Sequence, residues 1–132
     1  MAAARWKHEP DEHDYPAAVS YLSLTADPSM VGALVEGLHS APIETFKGKD
    51  ILRASGLPAL PHDNVHVAAD LAKVQAGKAL SPVLMVRGDA VGGLPLVIAD
   101  GYHRVCAAYY LDEDTDVPCR VVGFPGGGGV SR

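Results

Sequence analysis

The sequence predicts an α+β domain: a small mixed β-sheet with helices packed against it. Three observations carry that prediction. An apolar run, Leu94–Ala99, meets Asp100-Gly101 and turns straight into an alanine-rich helical stretch, Tyr102–Leu111. Earlier segments show apolar residues at helical spacing behind N-capping residues. At 132 residues, with 48% hydrophobic and 20% charged residues, the chain can bury one globular core.

The elements follow in order. Met1–Tyr15 is polar and rich in His, Asp and Glu, and reads as a flexible tail (residues 1–15) ahead of a single domain over residues 16–124. Pro16–Thr25 predicts a helix with Pro16 near its first turn. Asp27-Pro28 supplies an N-cap and an N1 proline for a second helix, with Met30, Val31, Leu34, Val35 and Leu38 on its buried side. These two form a helical N-terminal layer. Phe46–Ser55 predicts a third helix closed by Gly56, a short strand being the alternative. Leu57–Pro61 is a proline-punctuated loop, after which Asp63 or Asn64 caps a helix running through Gln75. Val67, Leu71 and Val74 share one face of that helix, and Gly77 ends it.

Pro82–Val86 and Leu94–Ala99 predict paired strands joined by the glycine-rich Arg87–Gly93. Val117–Val122 predicts a last strand, parallel to Leu94–Ala99 through a right-handed crossover made by the Tyr102–Leu111 helix. Residues 125–132 read as a glycine-rich tail. Its four consecutive glycines lack the Lys-Ser/Thr of a phosphate-cradling loop.

Bulk properties narrow the function. A net charge of −5, with Lys and Arg scattered, argues against autonomous DNA binding. No apolar run is long enough to span a membrane, and Met1–Pro10 lacks the apolar core of a secretion signal. The two cysteines, Cys106 and Cys119, have no metal-type spacing and read as reduced, buried thiols, which predicts a cytoplasmic protein. No feature specifies an oligomeric state.

The chemistry concentrates at Asp100-Gly101-Tyr102-His103-Arg104. A helix N-terminus carries unpaired N–H groups and partial positive charge, so it favours anions. Gly101 lets a ligand approach the backbone, and His103 and Arg104 add donors suited to phosphate oxygens. A second polar group, His62, Asp63, Asn64 and His66, matches no metal signature, so no metal site is predicted. His8 and His13 fall in the expected tail and carry no site.

The run Leu80–Val122, with the capped helix from Asn64, resembles the ParB/sulfiredoxin superfamily. The resemblance rests on strand, Asp100-Gly101-Tyr102-His103-Arg104, alanine-rich helix and strand, preceded by Ser81-Pro82-Val83-Leu84-Met85-Val86-Arg87-Gly88. It implies that His103 and Arg104 bind nucleotide phosphates beside Gly101 and Tyr102. It also implies that the preceding helix presents polar side chains there, which helix register assigns to His66 and Lys73, with Asn64 at its start. Sulfiredoxins carry their catalytic cysteine where this chain has Tyr102, and Cys106 lies a turn later, so sulfinic acid repair is not implied. Chromosome-partitioning members continue into a helix-turn-helix, whereas this sequence stops at Arg132. Kinases of the superfamily use a carboxylate base, for which Glu44 and Asp100 are the candidates.

Two functional readings follow. In one, ATP or another nucleoside triphosphate lies over Gly101, with Mg²⁺ shared between its phosphates and Asp63 or Asp100. Asp100 and His103 then serve phosphoryl transfer or hydrolysis. In that reading Arg104→Ala abolishes nucleotide binding and leaves the fold intact. In the other, the domain is a noncatalytic regulatory or protein-interaction module that binds a phosphorylated small molecule, an anion or a partner.

Overall fold

A computed structural model describes residues 3–124. They form a mixed α+β fold of five helices and two small sheets. The order is β1 (Arg5–Trp6), α1 (Asp14–Leu22), α2 (Pro28–Ser40), β2 (Ile43–Lys47), α3 (Gly48–Ser55), α4 (Val65–Gln75), β3 (Ala79–Leu80), β4 (Val83–Val86), β5 (Val97–Asp100), α5 (Tyr102–Leu111) and β6 (Asp116–Val122). The main sheet has the order β2-β6-β4-β5, and β1 pairs with β3 in a two-stranded parallel ribbon.

β4 explains the layering. All four of its residues are buried, as befits a strand covered on both sides. Leu84 and Val86 face α1 and α2, against Ala18, Leu22, Leu34 and Leu38. Val83 and Met85 face α3, α4 and α5, against Ile51, Val67, Val105 and Ala107. The sheet is the middle layer of three.

The predicted helices α2, α4 and α5 are present, α2 with its expected start and α4 and α5 with their expected ends. The Asp27 carboxylate accepts from Met30 N at 2.9 Å with Pro28 at N1, and Asn64 caps α4. Asp27→Ala leaves that amide without its partner and is expected to lower stability by about 1 kcal/mol. For a domain of this size that is a drop of about 4 °C in Tm. An unchanged thermal melt would contradict it.

The structure corrects several expectations. Residues 5–15 are no tail: Trp6 pairs with Leu80 and packs on the core, Lys7 N donates to Leu80 O at 2.8 Å, and Asp14, 2% exposed, starts α1. The expected helix over Phe46–Ser55 begins only at Gly48. Ile43–Lys47 is strand β2, paired antiparallel with β6 and alternating exposed and half-buried residues. β6 runs parallel to β4, which is itself antiparallel to β5, so β6 is antiparallel to β5 and not its neighbour. The wholly apolar β4 takes the inner position, and α5 carries the chain over it. Leu94 and Leu96 lie outside β5, with Leu94 in an isolated bridge to Asp89. The expected glycine-rich tail over 125–132 lies outside the described residues.

Among the described residues no helix is long and apolar enough to cross a membrane. Cys106 and Cys119 are buried free thiols, as expected. Burial pushes the Cys119 thiol up to about 12 and also raises Cys106, so neither is a thiolate at neutral pH.

Candidate functional site

The site is assembled where β5 ends and α5 begins. Gly101 occupies the N-cap at φ +111°, a conformation L side chains avoid, and provides no side-chain cap. Its missing Cβ is also a packing requirement. A Cβ there would lie 2.7 Å from Arg104 Nη2 and 3.0 and 3.1 Å from the Val83 methyls.

Arg104, in the first turn of α5, points back toward the helix start. Its Nη2 donates to Asp100 Oδ2 at 2.9 Å and lies 3.6 Å from Asp14 Oδ2. The Ser81 hydroxyl donates to the same Asp14 oxygen and accepts from Asp11 N at 2.9 Å. One guanidinium thus ties together α1, the approach to β4 and the β5–α5 junction. Burial raises the Asp100 carboxyl above the ordinary aspartate range even though Arg104 pulls the other way, and the Asp14 charge adds to the rise.

Beside this network lies a cleft of about 220 Å³, lined from α4 by His66, Ala69, Asp70 and Lys73, and from the junction by Asp100, Gly101, His103 and Arg104. The His66 and His103 rings lie side by side, tilted by 45° with centroids 4.7 Å apart. Burial, and then the neighbouring His66, lower the His103 pKa below 6.5, so it is neutral at pH 7. Lys73 Nζ stands 3.8 Å from Asp70. With His103 neutral, the cleft's Arg and Lys charges are matched by Asp70 and Asp100. An entering anion would meet α5 amides and a His103 imidazole able to take up a proton.

Six predicted residues therefore meet: His66, Lys73, Asp100, Gly101, His103 and Arg104. Asn64 does not line the cleft. Its Oδ1 accepts from His66 N and Val67 N at 2.9 and 3.2 Å, so it orients α4. Tyr102 is turned away, its hydroxyl donating to Pro58 O at 2.5 Å and its ring against the core. Cys106 accepts from Leu60 N at 3.5 Å within the core. Glu44 sits on the edge strand β2 near Arg87, 3.9 Å away, and His62 lies edge-on to Tyr110. Asp63 is not among the lining residues.

Sequence reasoning missed Asp14, Ser81, Ala69 and Asp70. Asp70 was findable, being four residues after His66 and three before Lys73 on one helical face. Asp11, His13 and Asp14 bring ligand atoms within 4.8 Å of one another, in a segment expected to be a tail. Asp11 is held by Lys7 at 2.7 Å, and Asp14 by Ser81 and Arg104, so this group's charge is already matched.

Comparison with protein-family models, with curated proteins and with solved structures finds no match to this chain.

Proposed function

We propose that the cleft at the start of α5 binds the phosphate of a nucleotide or another phosphorylated small molecule, in a ParB/sulfiredoxin-like arrangement. The observation that carries this reading is convergence. A glycine-headed helix, His66, His103 and Lys73 all border one polar cleft. A volume of about 220 Å³ suits a phosphate chain, with the remainder of the ligand outside.

Arg104 is the scaffold of the site, its Nη2 facing Asp100 and Asp14 while its buried Nε has no hydrogen-bond partner among the described residues. The contacts to an anion then come from His66, His103, Lys73 and the first amides of α5, with the unpaired edge of Arg104 beside them. Of the two lining carboxylates, Asp100 is taken up by Arg104, so Mg²⁺ arriving with a triphosphate would find its protein oxygen at Asp70. As an NTPase or phosphotransferase, the domain would use His103 to offset charge on the phosphate oxygens, with Asp100 orienting Arg104. The noncatalytic reading is favoured by one specific observation: Tyr102 and Cys106, the nucleophile types nearest the cleft in sequence, both face other partners.

Calorimetry with ATP, CTP and inorganic phosphate, with and without Mg²⁺, tests binding. His103→Ala and Lys73→Ala are each expected to weaken it about tenfold, roughly 1.4 kcal/mol, as a charge-assisted contact is lost. Product formation that disappears in His103→Ala marks an enzyme, and binding without turnover marks the module. Absence of binding by all three ligands at millimolar concentration would remove the proposal.

Sulfate, whose charge is constant near neutrality, isolates the titration of His103. A protonated His103 pairs with an anion more strongly than a neutral one, so binding takes up protons. Affinity is therefore expected to rise as pH falls from about 8 to about 6. In His103→Ala that slope should flatten, and a slope retained in full would assign it elsewhere.

A further inference from the structure

At the opposite end of β4 lies a second and larger cleft, about 380 Å³. Val83 abuts Gly101, whereas Val86, three residues on and about 10 Å away, leads into Arg87 at this other opening. The two clefts are separate.

The larger cleft is a built feature. Its floor is Phe46, Ile51, Met85, Leu96 and Val121, with Met85 only 1% exposed. α3 forms one wall and the segment between β4 and β5 the other. Leu96 N donates to Ala54 O at 3.0 Å and straps that segment to α3. At Gly88 the chain crosses its own return path so closely that a Cβ would lie 2.5 Å from Leu94 O and 2.7 Å from Leu96 N. Asp89 Oδ1 accepts from Val91 N and Gly92 N, both at 3.0 Å, and fixes the tip. These backbone restraints hold open an apolar space that helix packing would otherwise close.

The rim decides what fits. Asp50, Asp89 and Arg87 border the opening, two carboxylates against one guanidinium. Arg87 faces Glu44, outside the cleft, at 3.9 Å. Asp50 has Arg53 at 3.4 Å, but that side chain is 82% exposed and in water. An apolar interior under a net negative rim complements an apolar body with a cationic end. We infer that this cleft binds a small aromatic amine, its ring against Phe46 and Leu96 with Met85 beneath, and its ammonium at Asp50 and Asp89. A mono- or bicyclic ring system matches the volume, and the half-buried Phe46 ring makes a favourable wall for it.

The test uses phenethylamine and the whole chain carrying ¹³C-methyl methionine. Of the three methionines, Met85 lines the cleft, and Met30 packs on the other face of the sheet. Phenethylamine is expected to shift the Met85 methyl resonance and leave Met30 unmoved. The response should vanish in Ala54→Phe, which fills the cleft from an exposed helix position. Asp50→Asn should weaken it at least about threefold, the scale of one exposed ion pair. Phenylpropionate, with the opposite charge, should bind more weakly still. Three results would overturn the assignment: a silent Met85 at millimolar amine, equal binding of the carboxylate, or a Met85 shift that follows protein concentration, which would place a second copy of the chain in the cleft.

Discussion

Arg104→Ala is expected to lower the unfolding free energy by about 3–5 kcal/mol, the scale for breaking a buried ion pair from one side. The Asp14 side chain is 3% exposed and the Asp100 side chain 20%, and Arg104 is the cation both face. Removing it strands two carboxylates in a low-dielectric setting, one of them already raised by burial. The expectation drawn from sequence, loss of ligand binding on an intact fold, is thereby replaced: the guanidinium joins α1 to the β5–α5 junction.

The sign of the pH effect follows. Burial already raises the Asp100 pKa, and without Arg104 the charge that pulls it down is gone, so it climbs further above its unfolded value. Protonation then stabilises the folded form, and that stability is lost as pH increases through the raised value. The deficit should therefore shrink as pH falls from neutrality toward that value. Arg104→Lys keeps the charge but not the fork, and should fall between wild type and alanine. Urea unfolding of Arg104→Ala, Asp14→Ala and the double variant gives the coupling. A loss under about 1 kcal/mol, or additive single effects, would show that the network contributes little.

How much of this was legible in the sequence depended on range. Local signals read well: Asp27-Pro28 starts α2, Asn64 caps α4, and Gly56 at φ +70° and Gly77 at φ +75° follow α3 and α4. The family resemblance directs the preceding helix at the site, helical register selects His66 and Lys73 on it, and both border the cleft at the α5 start. The failures were long-range. Phe46 and Lys47 carry apolar and basic side chains suited to either a strand or a helix, and pairing with Val117 and Asp116 decides for the strand. Nothing near Asp14 in sequence announces a buried carboxylate, because its partners Ser81 and Arg104 are 67 and 90 positions away. The expected parallel course of β6 and β5 fails for the same reason: periodicity shows which face is buried, but not which strand lies alongside or which way it runs.

Gly101→Ala separates the glycine's two roles, and its expected effect is second only to that of Arg104. A residue with a Cβ held at φ +111° carries backbone strain of about 1–3 kcal/mol. The new methyl must also displace the Val83 methyls, 3.0 and 3.1 Å from its position, and the Arg104 Nη2 at 2.7 Å. Val83 is fully buried in the core and has little room to yield, so the packing term adds to the strain. Gly56→Ala provides the matched control, since Gly56 is also left-handed at φ +70° but has nothing within 4 Å of its missing Cβ. Strain alone predicts about 1 kcal/mol there. The two variants should therefore differ by more than about 1 kcal/mol in unfolding free energy, Gly101→Ala being the less stable. Phosphate affinity should fall only in Gly101→Ala, because displacing Arg104 disturbs the first turn of α5. Equal destabilisation would reduce Gly101 to a backbone hinge. Undiminished phosphate binding by a folded Gly101→Ala would detach the cleft from the helix start on which the functional reading depends.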